Sequence, residues 1–141
     1  MQMNIAKALA AEFSFIRAKL RCECGSGWHE LLRDMCKEIE EAYKEKNLAP
    51  DIEIYQISEK YGTLCVDYWP STNIDKIIEK YEELSEFTCE KCGQPGIMRE
   101  KKYKFGESWF SVRSDDCFDT ERKYLINRTK KLLKTCRTTS K

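Results

Sequence analysis

The sequence predicts an α+β fold in which helices pack on a short antiparallel β-hairpin, with a cysteine-bearing knuckle segment and a C-terminal basic helix attached. Three observations lead there. Apolar residues recur every three or four positions in separate stretches, the mark of amphipathic helices. Two runs rich in β-branched and aromatic residues flank a single glycine, the mark of a hairpin. Residues 89–119 keep no period and hold three cysteines with Gly93, Pro95, Gly96 and Gly106, so this segment needs a staple other than an apolar core.

From residue 5 to 20 the large apolar side chains fall at Ile5, Leu9, Phe13, Ile16 and Leu20, which places them on one helical face and predicts a first helix. Over residues 26–46 the stripe Trp28, Leu31, Leu32, Met35, Cys36, Ile39 and Tyr43 predicts a second helix. Glu30, Arg33, Asp34, Lys37 and Glu41 lie off that stripe, and Ser26 is its expected N-cap. Residues 51–57 and 64–69 read as the strands of the hairpin, and Gly62 in their connection suits a positive φ. Thr72 with Asp75 makes the pattern that caps a third helix, whose stripe Ile74, Ile77, Ile78, Tyr81 and Leu84 should pack on the hairpin. From Glu121 onward, Leu125, Leu132 and Leu133 with basic residues between them predict a final helix that fades after Thr135. The chain therefore divides into a helix-helix-hairpin-helix body over residues 1–88, a knuckle segment packed on it over 89–120, and a basic helix and tail over 121–141.

A chain of 141 residues can bury one real core, whereas two independent halves would each be marginal. With 41% hydrophobic and 11% aromatic residues it is too apolar for a disordered chain, and with 35% charged residues too polar for a membrane protein. Lys7 and Glu12 interrupt the N-terminal apolar residues, which fits neither a secretory leader nor a spanning helix, so a cytoplasmic protein is expected. The net charge is +1, yet residues 1–98 carry 12 basic and 18 acidic groups and residues 99–141 carry 13 basic and 6 acidic. An acidic body repels the phosphate backbone, which confines any nucleic-acid contact to the basic end.

Eight cysteines in a reducing compartment point to metal before disulfides. Cys89-Glu90-Lys91-Cys92-Gly93 has the form of a zinc knuckle: two thiolates at this spacing face one tetrahedral ion, and the glycine permits the tight turn. Cys117 follows Cys92 by 25 positions, across a loop of the length that zinc ribbons use. The fourth ligand is open. Asp119 is near in sequence, and Cys22, Cys24 and His29 are the other candidates, of which Cys22 or Cys24 would tie the two ends of the chain through one Zn2+ ion. Cys36 and Cys65 read as core thiols and Cys136 as an exposed tail residue.

The lone histidine leaves few routes to catalysis. His29 falls off the buried stripe, and the chain has no metalloprotease, deaminase, phosphate-loop, dinucleotide-binding or nucleophile-elbow motif, so no enzymatic activity is expected.

Four short motifs in order carry a resemblance. Cys24-Gly25-Ser26-Gly27-Trp28 with Leu31, Leu32 and Cys36, then residues 57–64 (Ile-Ser-Glu-Lys-Tyr-Gly-Thr-Leu), then residues 89–96, then Trp109 ahead of Cys117, resemble small zinc-ribbon-like proteins of phages and prophages. The likeness covers about residues 22–120. In that family an acidic dipeptide and a histidine follow the last cysteine, where this chain has Phe118-Asp119-Thr120. The resemblance implies a non-enzymatic accessory protein that binds and inhibits a host defence protein, an anti-CRISPR inhibitor of an RNA-guided nuclease being the foremost expectation. Its acidic surface, for example Glu82, Glu83 and Glu86, would occupy a nucleic-acid channel. The alternative is a nucleic-acid-binding accessory protein in which Lys101, Lys102, Lys104, Trp109, Arg113 and the basic tail contact phosphates and stack a base.

Overall fold

The helix predicted over residues 5–20 stops at Glu12, and a strand replaces its second half. The computed structural model describes residues 5–69, 74–102, 106 and 108–139, with α1 at Ile5–Glu12 and β1 at Ile16–Glu23. Ile16 and Leu20 are buried from that strand, while Arg17, Lys19, Arg21 and Glu23 between and beyond them are exposed. Charge at every second position matches a pleat, whose side chains alternate between faces, and would spoil a helical stripe.

β1 lies parallel to β2 (Glu53–Lys60), and α2 (His29–Glu45) makes the crossover that parallel neighbours require. β3 (Thr63–Trp69) returns antiparallel beside β2, so the sheet order is β1-β2-β3. The predicted hairpin is present, with strands that run further into its connection. Lys60 pairs with Thr63, which leaves a two-residue turn of Tyr61 and Gly62 at φ 54° and 82°. Two consecutive positive φ angles match the right-handed twist of the strands.

Ser26 does not cap α2. It opens a 3-10 turn, Ser26–Trp28, and neither that turn nor α2 has a side-chain cap. The turn sends Trp28 fully into the core, where its Nε1–H donates to the Thr88 carbonyl at 3.0 Å. α3 (Asp75–Ser85) packs against β3 and α2, while Thr72, its predicted cap, lies outside the described residues. Ile74, Ile78 and Tyr81 are buried as predicted, but Leu84 is exposed and Ser85 takes the buried position. Ser85 is tolerated there because its hydroxyl accepts the Leu64 N–H at 3.0 Å and donates to the Glu82 carbonyl at 2.5 Å.

The apolar core runs from Ile5 to Tyr81 and draws on α1, α2, α3 and all three strands. Beyond it, β4 (Ile97–Lys102) and β5 (Ser108–Arg113) form a separate antiparallel ladder from Ile97 opposite Arg113 to Lys102 opposite Ser108. The last helix, α4 (Asp115–Thr139), starts six residues before its predicted beginning and continues past Thr135. Ser114 explains the early start. Its Oγ accepts the Cys117 N–H at 3.3 Å, and Asp115 and Asp116 occupy the first turn, where the helix dipole favours negative charge. Among the described residues no helix is long and apolar enough to cross a membrane.

Candidate metal centre

Cys89 is reached from α3 through Phe87 and Thr88, where Thr88 makes an isolated antiparallel bridge with Pro95. The chain then folds back on itself. The Cys89 N–H donates to the Gln94 carbonyl at 2.8 Å and the Gly93 N–H to the Cys89 carbonyl at 2.9 Å, with Gly93 at φ 79°. This is the tight turn the sequence anticipates, and it presents Cys89 and Cys92 to one point. Cys117 arrives from the first turn of α4, so that the three sulfurs lie within 4.8 Å of one another.

The surroundings favour a thiolate. Burial works against charge on Cys89, but the backbone amides of Cys92, Ser114 and Lys91 and the Cys92 thiol direct hydrogens at its sulfur and hold it down to about 6. Cys117 moves the other way: the Ser114 hydroxyl favours its thiolate, but burial and the neighbouring Cys92 and Cys89 outweigh that and push it up. Three sulfurs, with amides converging on one of them and favouring its thiolate, can hold a metal ion.

The remaining predicted ligands are elsewhere. Asp119 is exposed on α4 and does not belong to the group of three, nor does His29 at the start of α2. Cys22 and Cys24 form a pair of their own with Sγ atoms 3.8 Å apart, because residues two apart at the end of β1 share a face. The hydrogen bond between them lowers the Cys22 pKa and raises that of Cys24, where burial adds to the rise. Cys36 is buried as expected, Cys65 is half-buried, and the side chain of Cys136 lies outside the described residues.

Two residues the sequence reading passed over organise the site. Ser114 is buried, with its Oγ 3.4 Å from the Cys92 sulfur, and the visible clue is that Ser114 and Cys117 repeat the spacing of Cys89 and Cys92. Glu90 joins the knuckle to the body: its carboxylate accepts the Gly25 N–H at 2.8 Å and its carbonyl the Gly27 N–H at 2.7 Å. That junction accounts for both glycines. A Cβ on Gly25 would stand 2.4 Å from the Glu90 carbonyl oxygen, and one on Gly27 2.3 Å from that of Cys89.

The predicted partner-binding residues divide by their surroundings. Arg113 donates to Glu121 at 2.9 Å and lies 3.7 Å from Glu90, and Lys101 reaches Glu121 at 3.3 Å, so both brace β4 and β5 against α4. Arg99 adds to this brace, with its guanidinium 4.4 Å above the Phe118 ring and 2.6 Å from Asp115. Lys102 and Trp109 are exposed, and Lys104 lies outside the described residues. Glu83 is exposed and Glu86 accepts the Thr63 hydroxyl at 3.3 Å. Glu82 is half-buried and accepts the Val66 N–H at 3.3 Å; burial raises its pKa, with Glu79 and Asp67 adding to the effect.

The chain matches no protein-family model, no curated protein and no solved structure, so the centre is defined by its own geometry.

Proposed function

We propose that this chain is a zinc-stapled, non-enzymatic binding module whose working surface is the basic helix α4, and that the surface takes nucleic acid. The observation that carries the reading is the character of α4 after Glu121. From Arg122 to Lys141 the sequence has no acidic residue, and Arg122, Lys123, Arg128 and Lys130 are all exposed. At the root of the helix Lys91, Lys101 and Arg113 gather around Glu121, beside a cavity of about 410 Å³ lined by Lys91, Lys101, Thr120, Glu121 and Tyr124. Tyr124 and Trp109 are 64% and 56% exposed, which leaves their rings available for stacking on bases. Zinc fits the three-sulfur centre because thiolates in a tetrahedral arrangement are its usual structural ligands. When bound, it would supply structural charge neutralisation and no chemistry on a substrate.

The test is anisotropy of labelled single- and double-stranded oligonucleotides from 50 to 200 mM salt. Affinity should fall steeply with salt, and replacing Arg122, Lys123, Arg128 and Lys130 by alanine should reduce the slope by about 0.9 for each phosphate that is no longer neutralised. Binding that ignores both salt and these substitutions overturns the reading.

A second reading is the inhibitor of a host RNA-guided nuclease that the phage resemblance implies. It is favoured by an acidic cleft of about 340 Å³ lined by Thr63, Leu64, Glu79, Glu82, Glu83 and Glu86. Charge reversal at Glu79, Glu83 and Glu86 should abolish inhibition under this reading and leave oligonucleotide binding intact. Glu82 is left in place because the Val66 amide depends on it.

A further inference from the structure

The cysteine centre has three sulfurs and a fourth polar side chain that faces them. Ser114 is buried, its backbone amide points at the Cys89 sulfur, and its Oγ lies 3.4 Å from the Cys92 sulfur and 3.3 Å from the Cys117 nitrogen. In a tetrahedral zinc site with Zn–S about 2.3 Å and Zn–O about 2.0 Å, an edge from sulfur to oxygen is about 3.5 Å long. The separation of Ser114 Oγ from Cys92 is the length of such an edge. Chain spacing agrees, since Ser114 stands three residues before Cys117 as Cys89 stands three before Cys92.

We propose that the Ser114 hydroxyl is the fourth donor of the centre, which makes it a three-thiolate, one-oxygen site. The proposal rests on reading the three cysteines as a metal centre. A hydroxyl is a neutral and weaker donor than a thiolate, so this vertex is the one that yields first, and a thiol or imidazole offered from outside can replace it. The same hydroxyl caps α4, so metal occupancy and the start of the basic helix are linked through one atom.

The experiment is a cobalt(II) titration of the full chain, followed by sulfur-to-metal charge-transfer absorption and by the tetrahedral d–d bands. The wild type is expected to show a three-thiolate spectrum that Cys89→Ser diminishes. Ser114→Cys should raise the charge-transfer intensity by about one third, as three thiolates become four, and bind cobalt more tightly. Ser114→Ala should keep the three-thiolate intensity while weakening binding by about 10-fold or more, and Ser114→Thr should restore it. An unchanged spectrum in Ser114→Cys, together with wild-type affinity in Ser114→Ala, would assign Ser114 to helix capping alone and overturn the proposal. No charge-transfer band in the wild type would overturn the metal centre itself, and the assignment of Ser114 with it.

Discussion

The body and the cysteine segment are built from the same kind of chain but held in different ways. From Ile5 to Tyr81 the molecule hides a continuous set of large side chains, with Trp28, Leu32, Met35, Ile39, Ile54 and Ile57 fully buried. Among the described residues from 89 to 114 the buried ones are Cys89, Val112, Ser111 and Ser114, while Ile97, Met98 and Trp109 remain exposed. A two-stranded ladder with so little apolar cover is marginal in water. The difference teaches where a metal would matter: the body has a core of its own, and the segment has little besides the three cysteines at its centre.

Metal removal should separate the two regions most sharply. Apparent binding energies of structural zinc reach about 10 kcal/mol or more, so chelation or Cys89→Ser should unfold residues 89–114 and the first turn of α4 while leaving the body folded, as followed by hydrogen exchange. Acid gives the reversible form of the same test. A thiol held below its ordinary value of 9.0 contributes stability that is full above that value and is lost as pH falls through the folded one, here about 6. Protons compete with a metal for the same sulfurs, so metal release followed with a chromogenic chelator is expected as the pH is lowered.

Leu32→Ala is the matching perturbation of the body. It removes a fully buried side chain of α2 and should cost about 2–5 kcal/mol in chemical denaturation of the body, with metal affinity changed far less. Gly27→Ala addresses the junction instead. Its Cβ would meet the Cys89 carbonyl at 2.3 Å, so about 1–3 kcal/mol should be lost and metal binding should weaken together with it. If Gly27→Ala lowers neither, the body and the segment are not coupled through Glu90.

Glu121→Gln should have the smallest effect. Burial alone would raise the Glu121 pKa, but Arg113 and Lys101 more than reverse this and hold it below 4.5. A depressed carboxylate stabilises above its unfolded pKa, and that contribution disappears as pH falls through the folded value. The substitution should cost about 1 kcal/mol at neutral pH and flatten the acid limb of a thermal stability profile. It should disturb the brace of α4 and the Lys91 contact to the knuckle, and leave the body as it is.

Much of this organisation is legible in the sequence, and the failures have physical causes. The stripe of α2, that of α3 as far as Tyr81, the hairpin with Gly62 at its turn, and the meeting of Cys89, Cys92 and Cys117 follow from spacing. The first helix is overextended in the sequence reading because Ile16 and Leu20 satisfy both periods. The alternating Arg17, Lys19, Arg21 and Glu23 decide for the strand once β2 supplies a partner. Ser26 has the chemistry of a cap, but Trp28 gains more from burial than a cap bond supplies, and the chain tightens into a 3-10 turn to reach it. Asp119 stands close after Cys117 in sequence, yet α4 already begins at Asp115 and carries it to the exposed side. The purpose of Gly25 and Gly27 cannot be read locally, since their partners Glu90 and Cys89 lie more than sixty residues away.

Hydrogen exchange of the native and metal-stripped protein, resolved by peptide, tests the central claim most directly. The account requires stoichiometric metal in the native protein, protection of residues 89–114 that disappears with the metal, and protection of α2, β2 and β3 that remains. A metal-free native protein in which residues 89–114 are fully protected, or a body that unfolds together with the segment, would contradict it.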